Sequence, residues 1–246
     1  MVLHRVAGID RVAPVGKGRK QLIQSIQWAD VVHLHVIHSY FLPLGWIVKK
    51  LVHERKPVVW TAHDYWMLTG RCASTERCER WRDGCGSCPT QKNYPPAYLD
   101  FSGYEFITKR HLVASLGRML QVVAPSKIIA YAIIDAFPDV EARIIPNWID
   151  REYETAIKYL PCSDAPILWD KEKVQILIIA NDLSDPTKVD RELINKLLEM
   201  SHIVIHTVGS HSPFSGSRVV NHGRVESRKI LAEIITSITA MLFTSE

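Results

Sequence analysis

Short β-branched runs that each give way to a helical pattern are the feature that most constrains this chain. "ADVVHLHV" from Ala29, "KPVVWTAHD" from Lys56, "MLQVVAPS" (Met119 to Ser126) and "ARIIPNWID" (Ala142 to Asp150) are short, apolar and bounded by polar or proline residues. Continuous apolar runs of this length suit strands buried on both faces. Between them lie helical stretches such as "FLPLGWIVKKLVHER" and "SKIIAYAIIDAF". In the second, Ser126 is placed to cap the helix, with Ile129, Ile133 and Ile134 on one face. Strand alternating with helix predicts a parallel sheet covered on both sides.

The pattern breaks after "IPNWID" and then restarts. Residues 151–173 are charged and proline-bearing, as a linker would be. "VQILIIAND" then predicts a buried strand, and "DRELINKLLEM" a helix with Leu193, Ile194, Leu197 and Leu198 on one stripe. "HIVIHTVG" predicts another strand. "SRKILAEIITSIT" predicts a helix burying Ile230, Leu231, Ile234, Ile235 and Ile238, and "AMLFTSE" the beginning of a last strand. The expected organisation is therefore a first α/β domain over 1–150, a linker over 151–173 and a partial second α/β domain over 174–246.

Charge narrows the partners. Lys and Arg number 30 against 26 Asp and Glu, an excess of +4. No basic run is dense enough for a nucleic-acid stripe, so no nucleic-acid partner is expected. The first residues lack a signal-peptide pattern, and the most apolar window, "SYFLPLGWIV", is too short to span a bilayer. A cytoplasmic address is the expectation. The aromatic and basic segment "YFLPLGWIVKK" has two readings, a peripheral contact with the inner membrane face or an ordinary helix packed on the sheet.

Ligands of open parallel sheets collect at the carboxyl ends of the strands. The polar residues placed there are His63 and Asp64, then Asn147 and Asp150, then Asn181 and Asp182 with Lys188 a few positions on. A histidine in such a place can contact a sugar hydroxyl or a phosphate, and a lysine can offset the charge of a departing diphosphate. The competing reading is loop polars and helix caps. His33, His35 and His38 form a further triplet, in which His33 and His35 share a strand face. A metal set is the lesser reading here, because no acidic or cysteine partner lies nearby in sequence.

Four of the five cysteines fall between Gly70 and Cys88, spaced C-x5-C-x6-C-x2-C at Cys72, Cys78, Cys85 and Cys88. The closing pair has zinc-ligand spacing, whereas the first interval is wider than a standard finger. Four thiolates would fill a tetrahedral sphere and leave no open position, so a structural zinc is favoured over a catalytic one. The alternatives are a metal-free loop held by Trp81 and its neighbours and, less favoured, disulfides.

Together "VVHLHVIHSYFLPL", "VVWTAHDYWMLTGRCA", "CERWRDGCGSCPTQKNYPP", "VAPSK" and "IIPNWID" resemble the glycosyltransferase family 4 enzymes of bacterial exopolysaccharide synthesis. The cysteine-rich segment is the most specific part of the likeness. The resemblance implies a GT-B type architecture, with two Rossmann-like domains and parallel sheets. It also implies a retaining transfer from a nucleotide-sugar donor to a lipid-linked oligosaccharide acceptor, without a catalytic metal ion. His63 matches the family's cleft histidine, Asp64 follows it, Asn147 falls in the junction motif and Lys188 matches the lysine that contacts the donor diphosphate.

Departures from the family pattern carry expectations too. Its opening strand and glycine-rich turn are not matched, and the donor loop beyond "AMLFTS" is not reached, so both domains are expected to be incomplete. Ser184 and its neighbours in "NDLSDPTK" stand where the family has a basic residue. The second function class is accordingly a catalytically inactive fragment or a zinc-stapled binding module of the same fold.

Overall fold

In the computed structural model the described residues are 17–38, 42–76, 78–92, 95–151, 154–155, 158, 169–170 and 172–244. The chain divides into two compact units, Met1–Asn147 and Trp148–Glu246. The linker expected over 151–173 lies mostly outside the described residues, as does Cys162.

The first unit is built on four parallel strands in the spatial order β1-β2-β3-β4: β1 (Val32–Leu34), β2 (Val58–Thr61), β3 (Leu120–Ala124) and β4 (Ala142–Ile144). Val32 pairs with Val58, Trp60 with Val122 and Val122 with Ala142. All four strands are shorter than the apolar runs that announced them. The tails of those runs (His35, His63 and Asp64, Pro125, Pro146 and Asn147) follow the strands at the carboxyl edge, where the last backbone bonds run from the Ala62 N–H to the Val123 carbonyl at 2.9 Å and from the Ile145 N–H to the Ala124 carbonyl at 3.0 Å. Helices cover the sheet: α1 (Lys17–Trp28), α2 (Leu44–His53), α3 (Arg80–Asp83), α4 (Ser102–Leu116) and α5 (Lys127–Ala136).

α2 turns Leu44, Ile47, Val48 and Leu51 into the core, leaving Lys50 to pair with Glu54 at 2.5 Å. The described part of the segment with a membrane alternative is thus a helix whose apolar face is already covered by protein; Tyr40 and Phe41 lie outside the described residues. Ser126 caps α5 by accepting from the Ile129 N–H at 3.4 Å, as the sequence predicts. Ile129 and Ile133 are buried, but Ile134 is 46% exposed. The small Ala130, Ala132 and Ala136 bring the helix close to the sheet on the other side, so the buried stripe is rotated away from Ile134.

The second unit repeats the plan with strand order β7-β6-β5-β8: β5 (Val174–Asp182), β6 (Ile203–Ser210), β7 (Val219–Asn221) and β8 (Ala240–Met241), all parallel. β7 is too short to stand out in the sequence. α6 (Arg191–Glu199) and α7 (Arg228–Ser237) flank the sheet. Asp190 caps α6 through the Leu193 N–H at 3.0 Å, and Ser227 caps α7 through the Ile230 N–H at 3.4 Å. In α6 only Ile194 is fully buried and Leu193 is exposed. In α7, Ile230 is 50% exposed and Ala232 joins Ile234 inside. A capping first turn stands off the sheet, so the apolar residue nearest the cap contributes least to the core.

Among the described residues no helix is long and apolar enough to cross a membrane.

Candidate functional site at the strand ends

The carboxyl edge of the first sheet gathers four imidazoles and a carboxylate. β2 ends at Thr61, and two residues on the chain presents His63 and Asp64. Asp64 begins a 3-10 turn over Tyr65–Met67, accepting the Trp66 N–H on Oδ1 at 2.8 Å. Its Oδ2 accepts from His38 Nε2 at 2.8 Å, and His38 is buried. A carboxylate can only accept, so Asp64 fixes the proton of His38 on Nε2.

His35 stands one residue past β1 and meets His63 ring to ring, with Nδ1 of His35 2.9 Å from Nε2 of His63. One of these nitrogens carries the bridging proton and the other accepts it. His33 lies on β1 beside His35, ring centroids 4.0 Å apart, and its Nε2 is 2.8 Å from Thr61 Oγ1. The shared strand face expected of His33 and His35 is thus present. Burial first, then repulsion from His35 and His63, holds the His33 imidazole below its ordinary pKa. Both His35 and His63 are exposed, so this edge offers imidazole hydrogen bonds to an incoming hydroxyl or phosphate oxygen. Among the described residues no group of three or more His, Cys, Asp or Glu side chains could hold a metal ion.

Next to this edge the cysteine-rich segment folds against the first turn of α4. Two glycines permit the approach. A Cβ on Gly70 would lie 2.0 Å from the Ser102 carbonyl oxygen, and one on Gly103 would lie 2.8 Å from that of Cys85. The Gly70 N–H in turn donates to Cys85 Sγ at 3.2 Å. Arg71, buried, acts as the hub of the loop: its guanidinium donates to the Pro95 carbonyl, to that of Thr90 at 2.6 Å and to Cys88 Sγ at 3.7 Å. Asp100 closes the far side by accepting the Cys88 N–H at 2.7 Å and the Ser102 N–H at 2.9 Å. Trp81 is buried beneath, tilted on Tyr65 at 5.7 Å. Cys72, Cys78, Cys85 and Cys88 are all free thiols. Burial pushes the Cys72 and Cys85 thiols up, which keeps them protonated. As a donor set these residues suit zinc; as arranged here they are not drawn into a metal-holding group.

In the second unit, a cavity of about 290 Å³ opens where β5 and β8 end, lined by Asn181, Asp182, Asp185, Lys188, Phe243 and Thr244 among others. The Ser184 hydroxyl and N–H donate to Asp182, and those of Thr187 to Asp185, which holds both carboxyls below their ordinary range. The backbone of Lys188 is fixed: its N–H donates to the Asp185 carbonyl at 3.1 Å, and its carbonyl accepts from Thr244 Oγ1 at 3.0 Å. The same Thr244 oxygen accepts the Asp190 N–H at 3.0 Å, tying the start of α6 to the residues after β8. Ser184, in place of a basic residue, serves Asp182.

His63 and Asp64 thus stand side by side at one strand end, each paired with a histidine from beyond β1, Lys188 lines the second unit's cavity, and Asn147 lies exposed three residues past β4. Two contributors escaped the sequence reading, Thr61 and Lys109. Lys109 occupies the buried stripe of α4 with Phe106, Val113 and Leu116. That helical spacing was the available signal for it; Thr61 carries none.

Comparison with known proteins follows the same outline. The domain described as Glycosyltransferase Family 4 matches residues 8–153. The colanic acid biosynthesis glycosyl transferase WcaC of Escherichia coli strain K12 is 36% identical over 222 residues, 87% of this chain and 54% of WcaC. The chain therefore spans about half the length of that relative. A crystal structure of Anabaena Alr3699/HepE in complex with UDP and glucose matches with a TM-score of 0.52 at 15% identity, covering 92% of this chain and 55% of the other. That likeness carries the fold, two parallel-sheet α/β units of the GT-B type. With its first unit matched by the family domain almost throughout, the chain belongs to glycosyltransferase family 4.

Proposed function

We propose that the chain carries the acceptor-side and donor-side strand ends of a retaining glycosyltransferase. It moves a sugar from a nucleotide-sugar donor to a lipid-linked exopolysaccharide acceptor of the colanic acid kind, at the cytoplasmic face of the membrane. The observation that carries this reading is the two hydrogen-bonded pairs, His35–His63 and His38–Asp64, at the carboxyl edge of a parallel sheet. His63, oriented by His35, donates to or accepts from a hydroxyl of the transferred sugar or a phosphate oxygen. Lys188 faces the donor diphosphate and offsets its charge as the glycosidic bond to it breaks. Asn147, the last residue of the first unit, contacts the donor. With lysine in that role, transfer proceeds without a catalytic metal ion and persists in EDTA. The solved relative crystallised with UDP and glucose supports a nucleotide-sugar donor for this fold.

Two measurements test it. Titrating the chain with UDP, GDP and their sugar conjugates should raise the unfolding temperature for one nucleotide. No shift with any of them leaves the non-catalytic module as the function. In a chain extended to the length of its relatives, His63→Ala should abolish transfer with the circular dichroism spectrum unchanged, and normal turnover would remove His63 from the mechanism.

A structural zinc on Cys72, Cys78, Cys85 and Cys88 belongs to the same proposal only as a staple for the loop beside the histidine edge. It requires the thiols to close in from the positions described. Metal analysis of protein purified without chelator decides it: about one zinc per chain supports the staple, and none leaves Arg71 as the hub.

A further inference from the structure

Lys109 lies in the middle of α4, 3% exposed, where a charged ammonium is costly to keep from water. An aliphatic residue would fill the same stripe without that cost. Its hydrogen bond and its cation–π contact both go to Trp66. The Lys109 ammonium donates to the Trp66 carbonyl at 2.6 Å and sits 3.8 Å above the centroid of the Trp66 ring. Trp66 is also the residue whose N–H is accepted by Asp64 at 2.8 Å and whose ring meets the His38 ring at 5.6 Å. Asp64 completes the circuit by accepting from His38 Nε2 at 2.8 Å. The turn after β2 is thus pinned on both backbone sides of Trp66, at its N–H by Asp64 and at its carbonyl by Lys109. Burial pushes the lysine down to about 7, against the supporting charge of Glu105 first and of Asp64 more weakly.

We infer that Lys109 is a positioning residue for the His38–Asp64 pair, holding the Trp66 carbonyl and ring so that the Asp64 carboxylate stays aimed at His38. The inference rests on the reading of that pair as part of the transfer site, but its geometry can be tested without substrate. A cation–π contact and a charge-assisted hydrogen bond to one residue, buried together, are worth more than either at the surface. Removing them frees the turn on which Asp64 stands.

The test is nuclear magnetic resonance of the chain, unaltered and as Lys109→Met, which keeps the stem and deletes the ammonium. The unaltered protein should show a slowly exchanging His38 Nε2–H, and the variant should lose that signal while the methyl signals of Val58, Val122 and Ile133 stay in place. Lys109→Gln, which returns a neutral donor, should recover part of it. A folded Lys109→Met protein that keeps the His38 Nε2–H signal overturns the inference. Should Lys109→Met not fold, the unaltered protein decides. A scalar coupling across the hydrogen bond from Lys109 15Nζ to the Trp66 carbonyl 13C supports the clamp, and its absence overturns it. Failure of the His63→Ala transfer experiment would leave this result standing, so the two readings fail separately.

Discussion

His35 and His63 follow adjacent parallel strands and share a hydrogen bond of 2.9 Å, so each imidazole orients the other. The ring that His35 holds is the ring proposed to touch the sugar. His35→Ala should lower kcat about tenfold, the worth of one oriented hydrogen bond at ~1.4 kcal/mol, with KM for the donor changed less than about twofold. Steady-state kinetics in the extended chain check this. A rise in KM alone would mean that His35 binds donor directly.

Lys188 shares its cavity with Asp182 and Asp185, both held ionised by neighbouring hydroxyls and N–H groups. A nucleoside diphosphate entering there meets two carboxylates and one ammonium, so the ammonium is what makes the encounter favourable. Lys188→Ala should weaken diphosphate binding by about tenfold to a hundredfold, the range of a charge-assisted hydrogen bond. Asp185→Asn should strengthen it. Isothermal titration calorimetry with UDP and GDP on this chain reads both.

The cysteine-rich loop depends on Gly70 having no side chain. With the Ser102 carbonyl 2.0 Å from where a Cβ would sit, Gly70→Ala must push the loop off α4. The expected loss is about 2–4 kcal/mol, in the upper range of single substitutions because backbone, not a side-chain end, has to move. Urea unfolding followed by tryptophan fluorescence measures it. An unchanged midpoint would show that the loop and helix part readily.

His206 gives the second unit a dependence on pH. It is fully buried, and burial followed by repulsion from His222 brings its imidazole down to about 4. The Gln175 amide nitrogen donates to the Asp170 and Lys173 carbonyls, so the Gln175 oxygen accepts from His206 Nε2. His206 Nδ1 then accepts from His222 Nε2 at 3.1 Å, which leaves no room for a second proton. Because the folded pKa is lowered, the unfolded chain binds more protons between about 4 and 6.5. Stability from this group is complete above 6.5 and is lost as pH falls towards 4. The loss reaches about 3 kcal/mol from His206, at 1.4 kcal/mol per pKa unit, and His222, also lowered by burial, adds in the same direction. Denaturant unfolding at a series of pH values should show the decline, and a flat profile would mean that His206 charges without disturbing the fold.

The strand-helix alternation and the two parallel sheets could be read from sequence because β-branched runs and helical stripes have distinct periods. What it could not resolve was where each run leaves the ladder. "VVWTAHD" reads as one strand, yet its ladder ends at Thr61, and that ending puts His63 and Asp64 on the edge rather than inside the sheet. Lys109 was hidden for the opposite reason. A lysine in a helix is ordinarily a solvated residue, and only the packing of α4 against the turn at Trp66 turns it inward. Ile134 and Ile230 show the limit of spacing alone, because a stripe several residues wide does not reveal which of its margins the sheet covers.

The residues just ahead of β5 carry a practical consequence for anyone wishing to excise the second unit. Trp169 lies edge-on to His206 at 4.3 Å and donates through Nε1 to Ser237 Oγ at 2.9 Å, while the Asp170 carbonyl receives Gln175 at 2.9 Å. A cut at Val174, where the strand begins, would strip away an indole lid and unpair a buried amide. Cloning boundaries should therefore leave Trp169 attached, and a protease that nicks between Trp169 and Val174 would strike inside the folded body rather than in a tether.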